Sequence, residues 1–205
     1  MNIVNSVPIE FTYKSINCNR LFETIKSQNN TIYNISYHQQ RVNQAYRDFF
    51  KTEPKFEIKD IVKPKSKLTR VKLVYNIDGV VEVNYFDYKP KEIKSLMLIE
   101  VGNFDYNFKY LNRAFFEELY KTYSGVDEFI LTKNGYITDC TIANLAFYDS
   151  GAKKWITPNM PLLNGTTRQR LLEEKKIFLD DIHYTNLKNY SKIAILNAMV
   201  GFYKL

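Results

Sequence analysis

Three turn signals set between apolar runs constrain this chain more than any other feature: Asp78-Gly79, Asn134-Gly135 and Ser150-Gly151. The runs around them are rich in β-branched and aromatic residues, as in KLTRVKLVYNI before the first and VVEVNYFDY after it. Such dipeptides accept the positive φ angles that tight antiparallel connections need, so each predicts a hairpin. Helical patterns stand between the hairpins. Val42, Tyr46, Phe49 and Phe50 share a helical spacing within 38–50, and Phe115, Leu119 and Tyr123 form one stripe over 114–123. Further strands are expected in RLFETI (20–25), in the short run TIYNIS, in SLMLIEV and, last in the chain, in KIAILNA. Hairpins mixed with helices predict an α+β fold rather than a doubly wound parallel sheet.

With 205 residues, the chain has room for one large domain or two small ones. The change of pattern near residues 95–105 predicts a smaller N-terminal α/β lobe over 1–100 and a C-terminal lobe over 101–205. The net charge of +7 allows nucleic acid or anionic small molecules as partners. Its basic residues are dispersed, apart from Lys63, Lys65, Lys67, Arg70 and Lys72. That run is read as a solvated edge strand in preference to a nucleic-acid patch. A positive cleft would suit a cofactor and substrate that are both anions. Cys18 and Cys140 form no disulfide framework, and with His38 and His183 they give no metal-ligand spacing, so no metal is expected. No signal pattern or membrane-length apolar run is present, and a reducing cytoplasm is expected.

Several polar residues could carry chemistry. GTTRQRLLE (165–173) opens a helix with a glycine and two threonines, which is either a hydroxyl N-cap or an anion site. There Gly165 would let the backbone approach a ligand. Asp139 and Asn144 flank the small residues of DCTIAN, where a lone carboxylate is commonly a turn former. Lys109 lies among aromatics in YNFKYLNR; it either snorkels to water or, desolvated, becomes a nucleophile for an aldehyde.

In this order, these segments resemble the class IV (fold type IV) pyridoxal-phosphate enzymes. That family includes branched-chain and D-amino-acid aminotransferases and 4-amino-4-deoxychorismate lyases. LFETIKSQNNTIYNISYHQQRV is similar to the family's first strands and H-x-x-R-L segment, with His38 and Arg41 in place. The stretch 127–173 follows its run of apolar strand, turn, T-E-x-x-x-x-N, strand, T-P and L-x-G-I-T-R. The resemblance implies two lobes with pyridoxal 5′-phosphate in the cleft between them. Lys109 would carry the cofactor as a Schiff base and shuttle the α-proton. Arg41, Thr166 and Thr167 would hold the 5′-phosphate, and Leu163 would pack on the ring. Asn197 would lie near phosphate and substrate. Asp139 stands where the family has a glutamate that pairs with the pyridinium nitrogen, so its side chain is one methylene short.

The resemblance also implies a homodimer and a small anionic amino-acid-type substrate; the dispersed basic residues and the lack of a membrane-length apolar run leave neither nucleic acid nor membrane as an expected partner. Among the family's reactions, ILNAMVG near the C-terminus resembles the N-[AS]-[LM] signature of the lyases. The expected activity is therefore release of 4-aminobenzoate and pyruvate from aminodeoxychorismate. The alternatives are an aminotransferase for branched-chain or D-amino acids and a degenerate member that binds the cofactor without turnover.

Overall fold

The structure, a computed structural model, describes residues 2–5, 7–11 and 19–205; Cys18 lies outside the described residues. Contacts divide the chain into two units. One comprises Met1–Ser15, Lys91–Asn107 and Arg113–Leu205; the other comprises Ile16–Pro90 and Phe108–Asn112. The expected lobes followed chain order, whereas this division follows contacts, and it places Lys109 with the earlier half of the sequence.

Two short strands of the first unit, β1 (Asn2–Ile3) and β2 (Ile9–Glu10), open the chain. The second unit begins with β3 (Leu21–Gln28), whose residues alternate so that Leu21, Glu23, Ile25 and Ser27 are fully buried on one face. After a turn at Asn29-Asn30 come β4 (Thr31–Ile32) and α1 (Ile35–Ala45), which runs on as a π-helical turn over Tyr46–Phe50. Buried Val42, Ala45 and Tyr46 pack with Leu21, Ile25, Val71 and Leu73. A single-turn helix, α2 (Ile58–Ile61), precedes β5 (Thr69–Asn76) and β6 (Gly79–Asp87). The four strands form an antiparallel sheet in the order β4-β3-β5-β6.

Two sequence expectations change here. The hairpin loop is Ile77-Asp78, because Asn76 Oδ1 accepts the Asp78 N–H at 2.9 Å and Gly79 already pairs with Asn76. Arg70 and Lys72 lie on β5, which has neighbours on both sides, so the basic run ends on the outer face of an inner strand rather than on an edge.

Residues 108–112 join this unit through main-chain bonds to the start of β3. Phe22 N donates to Lys109 O and Leu111 N to Arg20 O, each at 2.9 Å. This places the lysine by backbone pairing.

The first unit resumes with β7 (Ser95–Glu100), which pairs in parallel with β1, β2 and β8 (Glu128–Lys133). Parallel neighbours need a crossover, and α3 (Ala114–Thr122) lies in the one between β7 and β8. Asn134 and Gly135, both at positive φ, form the two-residue turn to β9 (Tyr136–Cys140). β10 (Asn144–Asp149) and β11 (Lys154–Pro158) are joined by four residues rather than two, with Asp149 Oδ1 accepting from Gly151 N and Ala152 N. Then come α4 (Thr166–Glu173), β12 (Phe178–Asp180), β13 (Tyr190–Asn197) and β14 (Gly201–Lys204). β14 was not expected from the sequence.

Candidate active site

In the second unit, the alternation of β3 turns a carboxylate inward. Glu23 is fully buried between Leu21 and Ile25 on the same face. Its Oε1 accepts from Arg41 Nε at 2.9 Å, and its Oε2 accepts from Arg41 Nη2 at 2.5 Å. His38, one turn earlier on α1, places Nδ1 2.6 Å from Oε2. Burial strongly opposes a charge on Glu23, but the Arg41 guanidinium and the His38 hydrogen bond outweigh it, and the pKa falls to about 2. Burial also lowers the His38 pKa, aided by the Arg41 and Lys109 charges and opposed by Glu23. The imidazole is therefore neutral, with Nδ1 the donor to the carboxylate. Lys109 is half-buried, with Nζ 4.7 Å from the centre of the Phe22 ring.

Of this cluster, Lys109, Arg41 and His38 were legible as motif residues. Glu23 was not singled out, although a carboxylate at i between apolar residues at i−2 and i+2 of an alternating strand is itself a signal.

In the first unit, Asp139 lies in β9, whose residues from Ile137 to Cys140 are all buried. Its Oδ1 accepts from Asn144 Nδ2 at 2.6 Å and its Oδ2 from Leu163 N at 2.8 Å. Burial raises this carboxyl to about 7, against the pull of the Leu163 N–H, the Asn144 amide and the Arg168 charge. Leu163 is half-buried in the segment before α4.

Gly165 is the N-cap of α4, and no side chain caps the helix. Thr166 and Thr167 thus lie inside the first turn instead of serving as hydroxyl caps. Gln169 N to Gly165 O is the first bond of the helix ladder, so the N–H groups of Thr166, Thr167 and Arg168 precede it. Thr167 Oγ1 is buried without a hydrogen-bond partner. The neighbouring Arg168 guanidinium is fixed by Pro158 O at 2.8 Å and Asn164 Oδ1 at 3.1 Å.

The missing side chain of Gly165 has an internal reason. A Cβ built there would lie 2.0 Å from Asn144 Oδ1, so the close approach is to a side chain of the protein itself. Because Asn144 is held by two further bonds, it cannot swing aside cheaply. Gly165→Ala is expected to destabilise the protein by about 1–3 kcal/mol, read as a lowered urea midpoint of the apoprotein with an unchanged slope.

Asn197 ends β13 at the β13–β14 turn, next to Leu196, the register partner of Asn144. Its Oδ1 accepts from Met199 N at 2.9 Å and Val200 N at 3.0 Å, and its Nδ2 reaches Ile142 O at 3.4 Å.

Known proteins share both the pattern and the fold. The sequence pattern of Amino-transferase class IV matches residues 20–204. The chain belongs to this family. A Haemophilus influenzae protein is 35% identical over 187 residues, which is 88% of this chain and 98% of that one. A Haemophilus somnus crystal structure, provisionally named a 4-amino-4-deoxychorismate lyase, superposes with a TM-score of 0.81 at 33% identity, covering 91% of this chain and 100% of the other. A Mycobacterium tuberculosis protein described as a hypothetical aminotransferase in its PLP-bound form superposes at 0.75 with 16% identity, covering 91% and 80%, a likeness of fold. The α+β architecture is that of the fold type IV aminotransferases. Among the described residues, no group of side chains could hold a metal and no helix is long and apolar enough to cross a membrane.

Proposed function

We propose that this protein is a pyridoxal-phosphate-dependent lyase of the 4-amino-4-deoxychorismate type, releasing 4-aminobenzoate and pyruvate. The residues present fit the cofactor on one observation above all. Thr167 Oγ1 is buried without a partner at a helix start that has no side-chain cap, beside a buried arginine. An unsatisfied buried hydroxyl costs about 1–3 kcal/mol, and a phosphate oxygen accepting from it and from the adjacent N–H groups offsets that cost.

When bound, pyridoxal phosphate supplies an electron sink for the pair released as a bond at the substrate's α-carbon breaks. The chain's own groups do the rest. Lys109 supplies the amine that carries the cofactor, and its Nζ takes and returns the α-proton. Arg41 would bind the phosphate with its guanidinium held by the Glu23 carboxylate, which His38 also bonds, and Thr166 and Thr167 would bind it from the α4 start. The Asp139 carboxylate, ionised, would pair with the ring nitrogen. Leu163 would pack on the ring, and Asn197, at the β13–β14 turn, would lie near phosphate and substrate.

Two observations support lyase over aminotransferase. Asn197-Ala198-Met199 follows the lyase signature and carries no hydroxyl, and the similar Haemophilus somnus structure bears a lyase name. A homodimer in the cytoplasm, serving folate precursor synthesis, belongs to the same proposal. The test is to mix cofactor-loaded protein with enzymatically generated aminodeoxychorismate. The expected result is 4-aminobenzoate and pyruvate in equal amounts. Absence of both from a cofactor-bearing enzyme, with amino-group transfer from an L- or D-amino acid to 2-oxoglutarate or pyruvate, would replace the lyase by the aminotransferase.

A further inference from the structure

Asn144 lies at the centre of a closed set of contacts. Its Nδ2 donates to Asp139 Oδ1 at 2.6 Å and to Leu163 O at 2.8 Å, while Leu163 N donates to Asp139 Oδ2 at 2.8 Å. Both carboxylate oxygens and both main-chain polar groups of Leu163 are thereby tied into one ring of three residues. On its other side, Asn144 Oδ1 fills the space where Gly165 lacks a side chain.

The bend that joins Asp139 to Asn144 is pinned as well. These two are the register pair of β9 and β10, and Cys140 N donates to Ala143 O at 2.9 Å. Thr141 gives its N–H at 3.1 Å and its hydroxyl at 2.7 Å to Glu128 Oε1, and Tyr120 OH donates to Glu128 Oε2 at 2.9 Å. Asn144 is buried in the middle of this, with no freedom to re-aim.

We infer that Asn144 is the positioning residue for the cofactor's ring nitrogen: it aims the Asp139 carboxylate and, through Leu163 and Gly165, keeps the start of α4 in register with it. This rests on the proposed function, which gives Asp139 and the α4 start a common ligand. Asn144 touches no reacting atom. Its chemistry explains the choice, because a primary amide offers two coplanar donors and reaches a carboxylate and a carbonyl together, where a hydroxyl has one donor. The device also suits a carboxylate one methylene shorter than the family's glutamate, since a short side chain has little reach with which to correct a misplaced backbone. Burial disfavours charge on Asp139, and the Asn144 N–H opposes that effect.

The test compares binding of pyridoxal phosphate with that of its 1-deaza analogue, which has C–H in place of the ring nitrogen. Both are titrated into apoprotein by fluorescence quenching, for wild type, Asn144→Ala and the isosteric Asn144→Asp, with circular dichroism reporting the fold. Wild type is expected to prefer pyridoxal phosphate by about tenfold or more, the size of one hydrogen bond to a charged group. In both variants the preference is expected to fall to within about threefold, with binding of the deaza analogue nearly unchanged. An equal loss for the two ligands, a retained preference, or loss of fold in both variants would make Asn144 merely structural and overturn the inference. A wild type that binds both alike would instead overturn the Asp139 assignment, and the inference with it.

Discussion

Replacing Lys109 by alanine is expected to abolish borohydride-trapped attachment of the cofactor and to cut turnover by about 10³-fold or more. Covalent capture needs an amine, and the α-proton needs an acceptor at the same place; one nitrogen serves both roles. The size of the effect is interpretable because the backbone does not depend on the side chain. Phe22 N to Lys109 O and Leu111 N to Arg20 O hold the segment whatever residue 109 is. The alkyl stem passes a half-buried site beside the Phe22 ring, so the stability change stays within about 1 kcal/mol. Lys109→Arg keeps the charge but no free amine, and it should be as inactive as the alanine variant. Mass spectrometry of borohydride-reduced peptides reads the attachment directly. A label on another lysine, or turnover that survives the substitution, would remove Lys109 from the chemistry.

Much of the fold was legible because its signals are local. Asn134-Gly135 specifies its own turn, and the apolar stripe of Phe115 and Leu119 specifies α3. What stayed hidden depends on distant partners. β1 and β2 are two-residue strands whose only logic is pairing with β7, more than ninety residues away in the case of Asn2 and Ser95. The Lys109 segment looks like a loop in sequence and finds its place only by bridging Leu21 to Tyr110.

Motif order brought out Lys109, Arg41, Asp139, Leu163 and the two threonines, yet not how they are held. Gly165 read as room for a ligand, whereas the space is taken by Asn144; a side chain set against a glycine twenty-one positions away leaves no local trace. Glu23 was passed over because the strand pattern was read for its apolar members.

The second large effect concerns Asp139, and it has opposite signs in the free and loaded protein. In the folded apoprotein its pKa is about 7, raised by burial, against roughly 3.9 in the unfolded chain. Between those values the folded state holds a proton that the unfolded state has released. The stability this proton confers is complete below about pH 4 and is lost as pH rises through 7, a total on the order of 4 kcal/mol. Glu23 acts in the other direction. Its pKa falls from 4.5 to about 2, so its contribution, on the order of 3 kcal/mol, is present above 4.5 and lost as pH falls towards 2. Each carboxylate sits in its own unit, and the apoprotein should be most stable on the acid side of neutrality.

Asp139→Asn removes the first slope and leaves the second, so urea unfolding at a series of pH values should show the variant overtaking wild type as pH rises past 7. Cofactor should reverse that order. A protonated ring nitrogen adds a cationic donor to the ionised carboxylate, so loading flattens the wild-type decline. The variant has no charge to offer, and it should bind pyridoxal phosphate more weakly by tenfold or more, about the size of one charge-assisted hydrogen bond. Parallel pH profiles for the two apoproteins would mean that Asp139 is not the buried, proton-holding group, and its pairing with the ring nitrogen would lose its physical basis.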